Sequence, residues 1–238
     1  MGSERFPGKV LRKVRDREML WYLINRLKQC ETIDDIVVGT PSTSENDCIA
    51  SWCGAHGVNC SRGFEEDVLG RICGSLRLVD GDIGVMVFGD NPLIDPELVD
   101  SMVTNFQSRK SVAWLGNDLK TTFPPGMDVE VFHRSAIEDA DCRANTPEFR
   151  EHGTLYIRKH PELYEIVNIE APAKYSRPEL CLGIDTEIDF EVVREIIQHF
   201  DGRIDFTLDE IILFLDQNPE IAALNQRVER RWRQYRSD

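Results

Sequence analysis

The chain has 238 residues, 41% hydrophobic and 29% charged, which suits one soluble α/β domain or one domain carrying an insertion. Lys and Arg total 28 against 42 Asp and Glu, a formal charge of −14, and so acidic a surface argues against general nucleic-acid binding. No stretch approaches the ~20 apolar residues that span a bilayer, and no apolar run follows the N-terminal charges as in a signal peptide. Seven cysteines without a CxxC pair fit a reducing cytoplasm better than a disulfide framework.

Positive charge is concentrated at the start, in Arg5, Lys9, Arg12, Lys13, Arg15, Arg17, Arg26 and Lys28. Within it, residues 2–9 (GSERFPGK) have the makings of a phosphate-binding loop. Gly2 and Gly8 let backbone N–H groups approach closely, Ser3 adds a hydroxyl, Arg5 a planar fork and Lys9 a compact charge. The stretch is not a Walker A loop, since Val10 stands where Ser or Thr would follow the lysine. A solvated basic helix face accounts equally well for residues 12–17.

Met19 to Leu27 has helical spacing of apolar residues, and Ile36 to Gly39 reads as a short buried parallel strand. Glu45 to His56 is expected as a helix, Val58 as the start of another strand, and Val68 to Leu78 as a helix. Ile83 to Phe88 is a second buried strand, stopped by Gly89-Asp90-Asn91-Pro92, with Pro96 to Gln107 returning as a helix. The alternation predicts a mostly parallel sheet with helices on both faces. Strands at Ser111 to Trp114 and Val129 to Phe132 flank the loop at 123–126 (FPPG), and Ser135 to Ala140 starts a helix. Periodicity fades over residues 141–178, expected to be an insertion or a dimerisation arm. Leu180 to Asp185 is the last candidate strand, Ile188 to His199 its helix, Thr207 to Asp216 another helix, and Arg227 to Asp238 a frayed surface helix.

Asp90 and Asp185 each stand at the carboxyl end of an expected strand, where open α/β sheets bind ligands. Two such carboxylates suit Mg²⁺, which takes one or two from the protein and completes its shell with phosphate oxygens and water. Each is equally at home as a helix cap or turn residue.

Six stretches, in one order along nearly the whole chain, resemble the cytidylyltransferases of the spore-coat polysaccharide and acylneuraminate type. They are residues 2–11 (GSERFPGKVL, against GSxRLPGKxL), 62–71 (RGFEEDVLGR), 89–100 (GDNPLIDPELVD), 123–132 (FPPGMDVEVF), Arg150-Glu151-His152 with Tyr156-Ile157-Arg158, and Asp185-Thr186. The resemblance implies a single-domain, three-layer α/β/α Rossmann-like nucleotide-diphospho-sugar transferase fold, a CTP substrate, Mg²⁺ and a small acidic sugar or related acceptor, while the 141–178 segment, as a dimerisation arm, leads us to expect a homodimer. It places Arg5 and Lys9 at the triphosphate, Gly2, Ser3 and Gly8 around it, and Thr40 and Arg62 near the cytosine or ribose. Asp90 and Asp185 would hold the metal, and Asp128, Glu130, Arg150 and His152 would line the acceptor side. The family's first strand precedes the loop, and is expected to be missing from a chain that opens at Met1 inside the motif. A non-catalytic nucleotide- or sugar-binding relative acting as a partner subunit, and a nucleotidyltransferase using another base or acceptor, are the alternatives.

Overall fold

The computed structural model describes residues 1–235, with side chains as far as Arg233. The opening loop runs into a 3₁₀ turn, Lys9–Leu11, entered through Gly8 at φ 72°, a left-handed conformation that favours glycine. The basic stretch behind it is a tight hairpin rather than a helix face. Strand β1 (Lys13–Val14) pairs antiparallel with β2 (Arg17–Glu18), and Arg15 and Asp16 both take positive φ, as a two-residue type I′ connection requires. Arg12 stacks over Phe6 and Arg17 over Trp21.

Helix α1 (Met19–Leu27) follows, burying Met19, Leu20, Tyr22, Leu23 and Ile24. Strand β3 (Val37–Pro41), helix α2 (Asp47–His56) and strand β4 (Asn59–Gly63) form a parallel unit in register from Val37↔Asn59 to Pro41↔Gly63. Helix α3 (Val68–Leu78) is capped by Asp67, which accepts from Gly70 N. Strand β5 (Ile83–Met86) leads to helix α4 (Pro96–Gln107), where Pro96 opens the first turn and Asp95 accepts from the N–H groups of Glu97 and Leu98.

Strands β6 (Val112–Gly116) and β7 (Glu130–His133) precede helices α5 (Arg134–Arg143), α6 (Pro147–Glu151) and α7 (Leu155–Lys159), then strand β8 (Glu165–Asn168). Helices α8 (Glu187–His199) and α9 (Leu208–Gln217) both start with capping boxes, Thr186 with Asp189 and Thr207 with Glu210. Helix α10 is Pro219–Ala223.

The larger sheet has the order β5–β7–β6–β8. Strand β7 is antiparallel to β5 and β6, and β8 is parallel to β6, so three strands run one way and β7 runs against them. The reversal has a simple cause: no helix lies between β6 and β7 to carry the chain back to the opposite end of the sheet. The β3–β4 ladder forms a separate two-stranded sheet among the described residues.

Alternation along the strands feeds two cores. Leu115 and Val131 face the main core with residues of α1, α4, α8 and α9. Trp114 and Phe132 face the opposite way, packing with Leu69, Cys73, Ile137 and Ile157 of α3, α5 and α7. Helices therefore cover both faces, as the sequence predicts. Residues 141–178 contribute β8 to the sheet, and Ile157 and Tyr164 to the second core.

Two expectations are corrected. Leu180 to Asp185 is not a strand. The N–H groups of Leu182 and Gly183 donate to Pro125 O at 2.6 and 3.2 Å, and that of Ile184 to Asp90 O at 2.9 Å. The stretch is stitched between two loops, and its apolar residues are buried because it is wedged there. Nor is Arg227 to Asp238 a frayed helix: Arg231–Tyr235 is a short 3₁₀ turn, Arg230 is buried, and residues 236–238 lie outside the described residues.

Candidate active site

A cleft of about 530 Å³ opens between the N-terminal loop, the ends of β5 and β7, and the 181–185 stretch, and contains Arg5, Asp90 and Asp185 in its lining. At its edge Lys9 Nζ lies 2.6 Å from Asp90 Oδ2, 3.7 Å from Asp185 Oδ1 and 2.5 Å from Ile184 O. Arg5 Nη2 stands 3.1 Å from Asp185 Oδ1, while Nη1 donates to Glu229 O at 2.9 Å. Four residues separated by up to 180 positions thus meet around one point.

Two aspartates converging on one ammonium show that the site is built for positive charge. Their donor set suits Mg²⁺ completed by phosphate oxygens and water. Among the described residues no group of three or more His, Cys, Asp or Glu is placed to enclose a metal unaided.

Asp90 sits deep among protein atoms, although 29% of its side-chain surface still meets solvent at the cleft mouth. Desolvation pushes its carboxyl above the ordinary range and the Asp185 charge adds to this, against the pull of Lys9. A carboxylate so placed gains from a second cation.

The remaining nucleotide-side candidates fall outside the cleft lining. Ser3 Oγ accepts from Phe6 N at 3.3 Å and shapes the loop, and Gly8 supplies its left-handed turn. Gly2 lies against Glu65, whose carboxyl oxygen would be 3.2 Å from a Cβ placed there. Thr40 is 2% exposed, and its hydroxyl has no hydrogen-bond partner among the described residues. Arg62 brackets the loop after β3, donating to Pro41 O and Thr43 O and pairing with Asp47 at 2.8 Å.

Of the candidates for the acceptor side, Asp128, Glu130 and His152 line the cleft. Asp128 Oδ2 accepts from Gly126 N at 3.3 Å. Gly126 has φ 105°, and a Cβ there would lie 2.4 Å from Gly183 N, so glycine is what lets the two loops close on each other. Glu130, 1% exposed, accepts from Trp114 Nε1 at 2.7 Å and from the Thr154 hydroxyl.

Arg150 is not in the lining. It ties Asp67 at the start of α3 to Asp141 on α5, at 2.6 and 2.7 Å. Arg158 takes the cleft position instead, 3.2 Å from Asp118 Oδ2 and 3.8 Å from Glu130 Oε1. The buried Glu130 is thereby given a cationic neighbour.

Sequence reasoning did not single out Arg71, Asn91, Asp118, Arg158, Arg231 or Trp232, all of which line the cleft. Arg71, Asn91 and Arg158 lie inside the motif stretches quoted above and were open to the same comparison. Arg231 and Trp232 carry no local signal, because distant parts of the chain bring them to the cleft.

The family model for Cytidylyltransferase matches residues 1–218. The spore coat polysaccharide biosynthesis protein SpsF of Bacillus subtilis is 33% identical over 229 residues, covering 94% of this chain and 93% of that protein. The 3-deoxy-manno-octulosonate cytidylyltransferase of Acaryochloris marina is 28% identical over 174 residues, 68% of each chain. The solved structure of a cytidylyltransferase from Leptospira borgpetersenii matches with a TM-score of 0.88 at 30% identity, over 97% of this chain and 95% of that one.

Proposed function

Because the chain belongs to the cytidylyltransferase family, we propose that its cleft transfers CMP from CTP to a hydroxyl of a sugar acid or related acceptor, releasing pyrophosphate, in cell-surface polysaccharide biosynthesis. The observation that carries this reading is the meeting of Arg5, Lys9, Asp90 and Asp185 at one end of the cleft. An acceptor oxygen attacks the α-phosphorus while the bond to pyrophosphate breaks, and catalysis is mostly positioning and charge neutralisation.

Asp90 and Asp185 would hold Mg²⁺, which would supply Lewis-acid polarisation of the phosphate. The Lys9 ammonium and the Arg5 guanidinium face the same point and neutralise the departing pyrophosphate. Asp128, Glu130, His152 and Arg158 form the wall facing the acceptor. We read the protein as a cytoplasmic homodimer, two-fold pairing being the commonest assembly. Among the described residues no helix is long and apolar enough to cross a membrane.

Pyrophosphate release with CTP, Mg²⁺ and a panel of sugar acids beginning with 3-deoxy-manno-octulosonate tests the reading. Wild type turns over, whereas Lys9→Ala and Asp90→Asn abolish release and remain folded by circular dichroism. Wild-type turnover in either variant refutes the assignment.

A further inference from the structure

Beyond helix α10 the chain reaches back into the cleft. Its course is fixed by buried polar contacts. Asn225, 2% exposed, donates to Cys181 O at 3.0 Å and to Asp189 Oδ1 at 2.8 Å. Arg230, 8% exposed, donates to both oxygens of Asp189 at 3.0 and 2.8 Å, and back to Asn225 O. These bonds anchor the segment directly behind Asp185, whose own N–H donates to Asp189 at 3.0 Å.

The next two residues emerge from that anchor and line the cleft. Arg231 pairs with Glu4 at 3.0 Å, but both side chains are largely exposed, at 63% and 78%, so the pair is weak and the guanidinium can exchange partners. Trp232 adds an indole to the same wall.

Of the arginines lining the cleft, Arg5 is held by Asp185, Arg71 by two backbone carbonyls and Arg158 by Asp118 and Glu130, whereas Arg231 is held by an exposed carboxylate and is the readiest to receive an anionic acceptor. CTP is what a cytidylyltransferase shares with its relatives; the acceptor is what varies. We propose that Arg231 and Trp232 are specificity-determining residues for the acceptor, which they take as a carboxylated sugar, guanidinium to carboxylate and indole to the apolar face of the ring. This rests on the cytidylyltransferase reading above. The buried Arg230 and Asn225 hold the pair in place; Arg231 is exposed and Trp232 half-buried, and neither belongs to the two hydrophobic cores.

The experiment uses full-length protein, CTP with Mg²⁺, and 3-deoxy-manno-octulosonate as the first of a panel of sugar acids. Pyrophosphate release gives KM for each substrate and kcat, and calorimetry gives acid binding in the presence of a non-hydrolysable CTP analogue. Arg231→Gln and Trp232→Leu should each raise acceptor KM by about tenfold, the loss of one well-made contact, with CTP KM and Tm unchanged. Arg231→Lys and Trp232→Phe should recover part of the loss. Glu4→Gln, which frees Arg231, should lower acceptor KM.

Unchanged acceptor KM and unchanged acid binding in both variants overturn the proposal, as does an effect confined to CTP KM, which would assign Arg231 to the triphosphate. If wild type neither binds nor turns over any acid of the panel, the functional reading itself falls, and that result is distinct from a wild type that works equally well without the two side chains.

Discussion

Asp189→Ala removes the carboxylate on which the C-terminal segment is anchored. The side chain is fully buried, and it accepts from both terminal nitrogens of Arg230, from the N–H groups of Asp185 and Thr186, and from Asn225. Its loss leaves the Arg230 guanidinium buried with its nearest other carboxylate, Asp185, 3.9 Å away. Breaking a buried pair by removing one partner costs about 3–5 kcal/mol. In a chain of this length 1 kcal/mol moves Tm by ~2–4 °C, so the expected fall is roughly 6–20 °C. Asp189→Asn keeps an acceptor for Arg230 but not the charge, and should fall between the variant and wild type. Urea unfolding at several pH values provides the assay.

The pH dependence supplies a second, independent check. Desolvation is the largest influence on Asp189 and pushes its carboxyl up, but the hydrogen bonds and charge of Arg230, with those from Thr186, outweigh it and hold the group below the ordinary carboxylate range. A folded-state pKa below the unfolded one means that this stability is present above the unfolded pKa and is lost as pH falls through the folded one. The gap between wild type and Asp189→Asn should therefore be widest near neutrality and narrow in strong acid. A Tm drop under about 2 °C for Asp189→Ala, or a gap that widens as the solution is acidified, would refute the reasoning.

Two further outcomes are expected. Gly126→Ala puts a Cβ 2.4 Å from Gly183 N at φ 105°, and should cost at least about 1–3 kcal/mol in chemical denaturation while distorting the cleft, seen as a fall in kcat/KM. Thr40→Val removes a buried hydroxyl with no partner among the described residues, and should leave Tm unchanged or raise it, whereas an unchanged CTP KM in the same variant would remove Thr40 from the nucleotide side.

The legible part of the fold was the part fixed by local chemistry. Helix α3 runs over the residues its periodicity marks out, and α4 starts where Asp95 and Pro96 place a cap and a first turn. The 180–185 stretch misled because a run of apolar residues reports that side chains are inside, not what their backbone pairs with; here the partners are Pro125 and Asp90. Much the same holds for the site. Arg150 and Arg158 are eight residues apart in one motif, and only the packing of α6 and α7 decides that the first ties two helices together and the second faces the cleft. The N-terminal loop was found by its residue types, but what holds Lys9, a carboxylate and a carbonyl from two distant loops, lies far away in the sequence.

The division of the strands into three separate sheets also sets how the backbone breathes. Strand β7 has hydrogen-bonded neighbours on both sides, whereas β3 and β5 each have a single partner among the described residues. Amide exchange should accordingly be slowest at Val131 and its neighbours and fastest along the unpartnered sides of β3 and β5. Because β5 leads to Asp90, the carboxylate proposed to meet the metal hangs from the less protected edge of the sheet, where small local openings reach the cleft before the fold itself gives way.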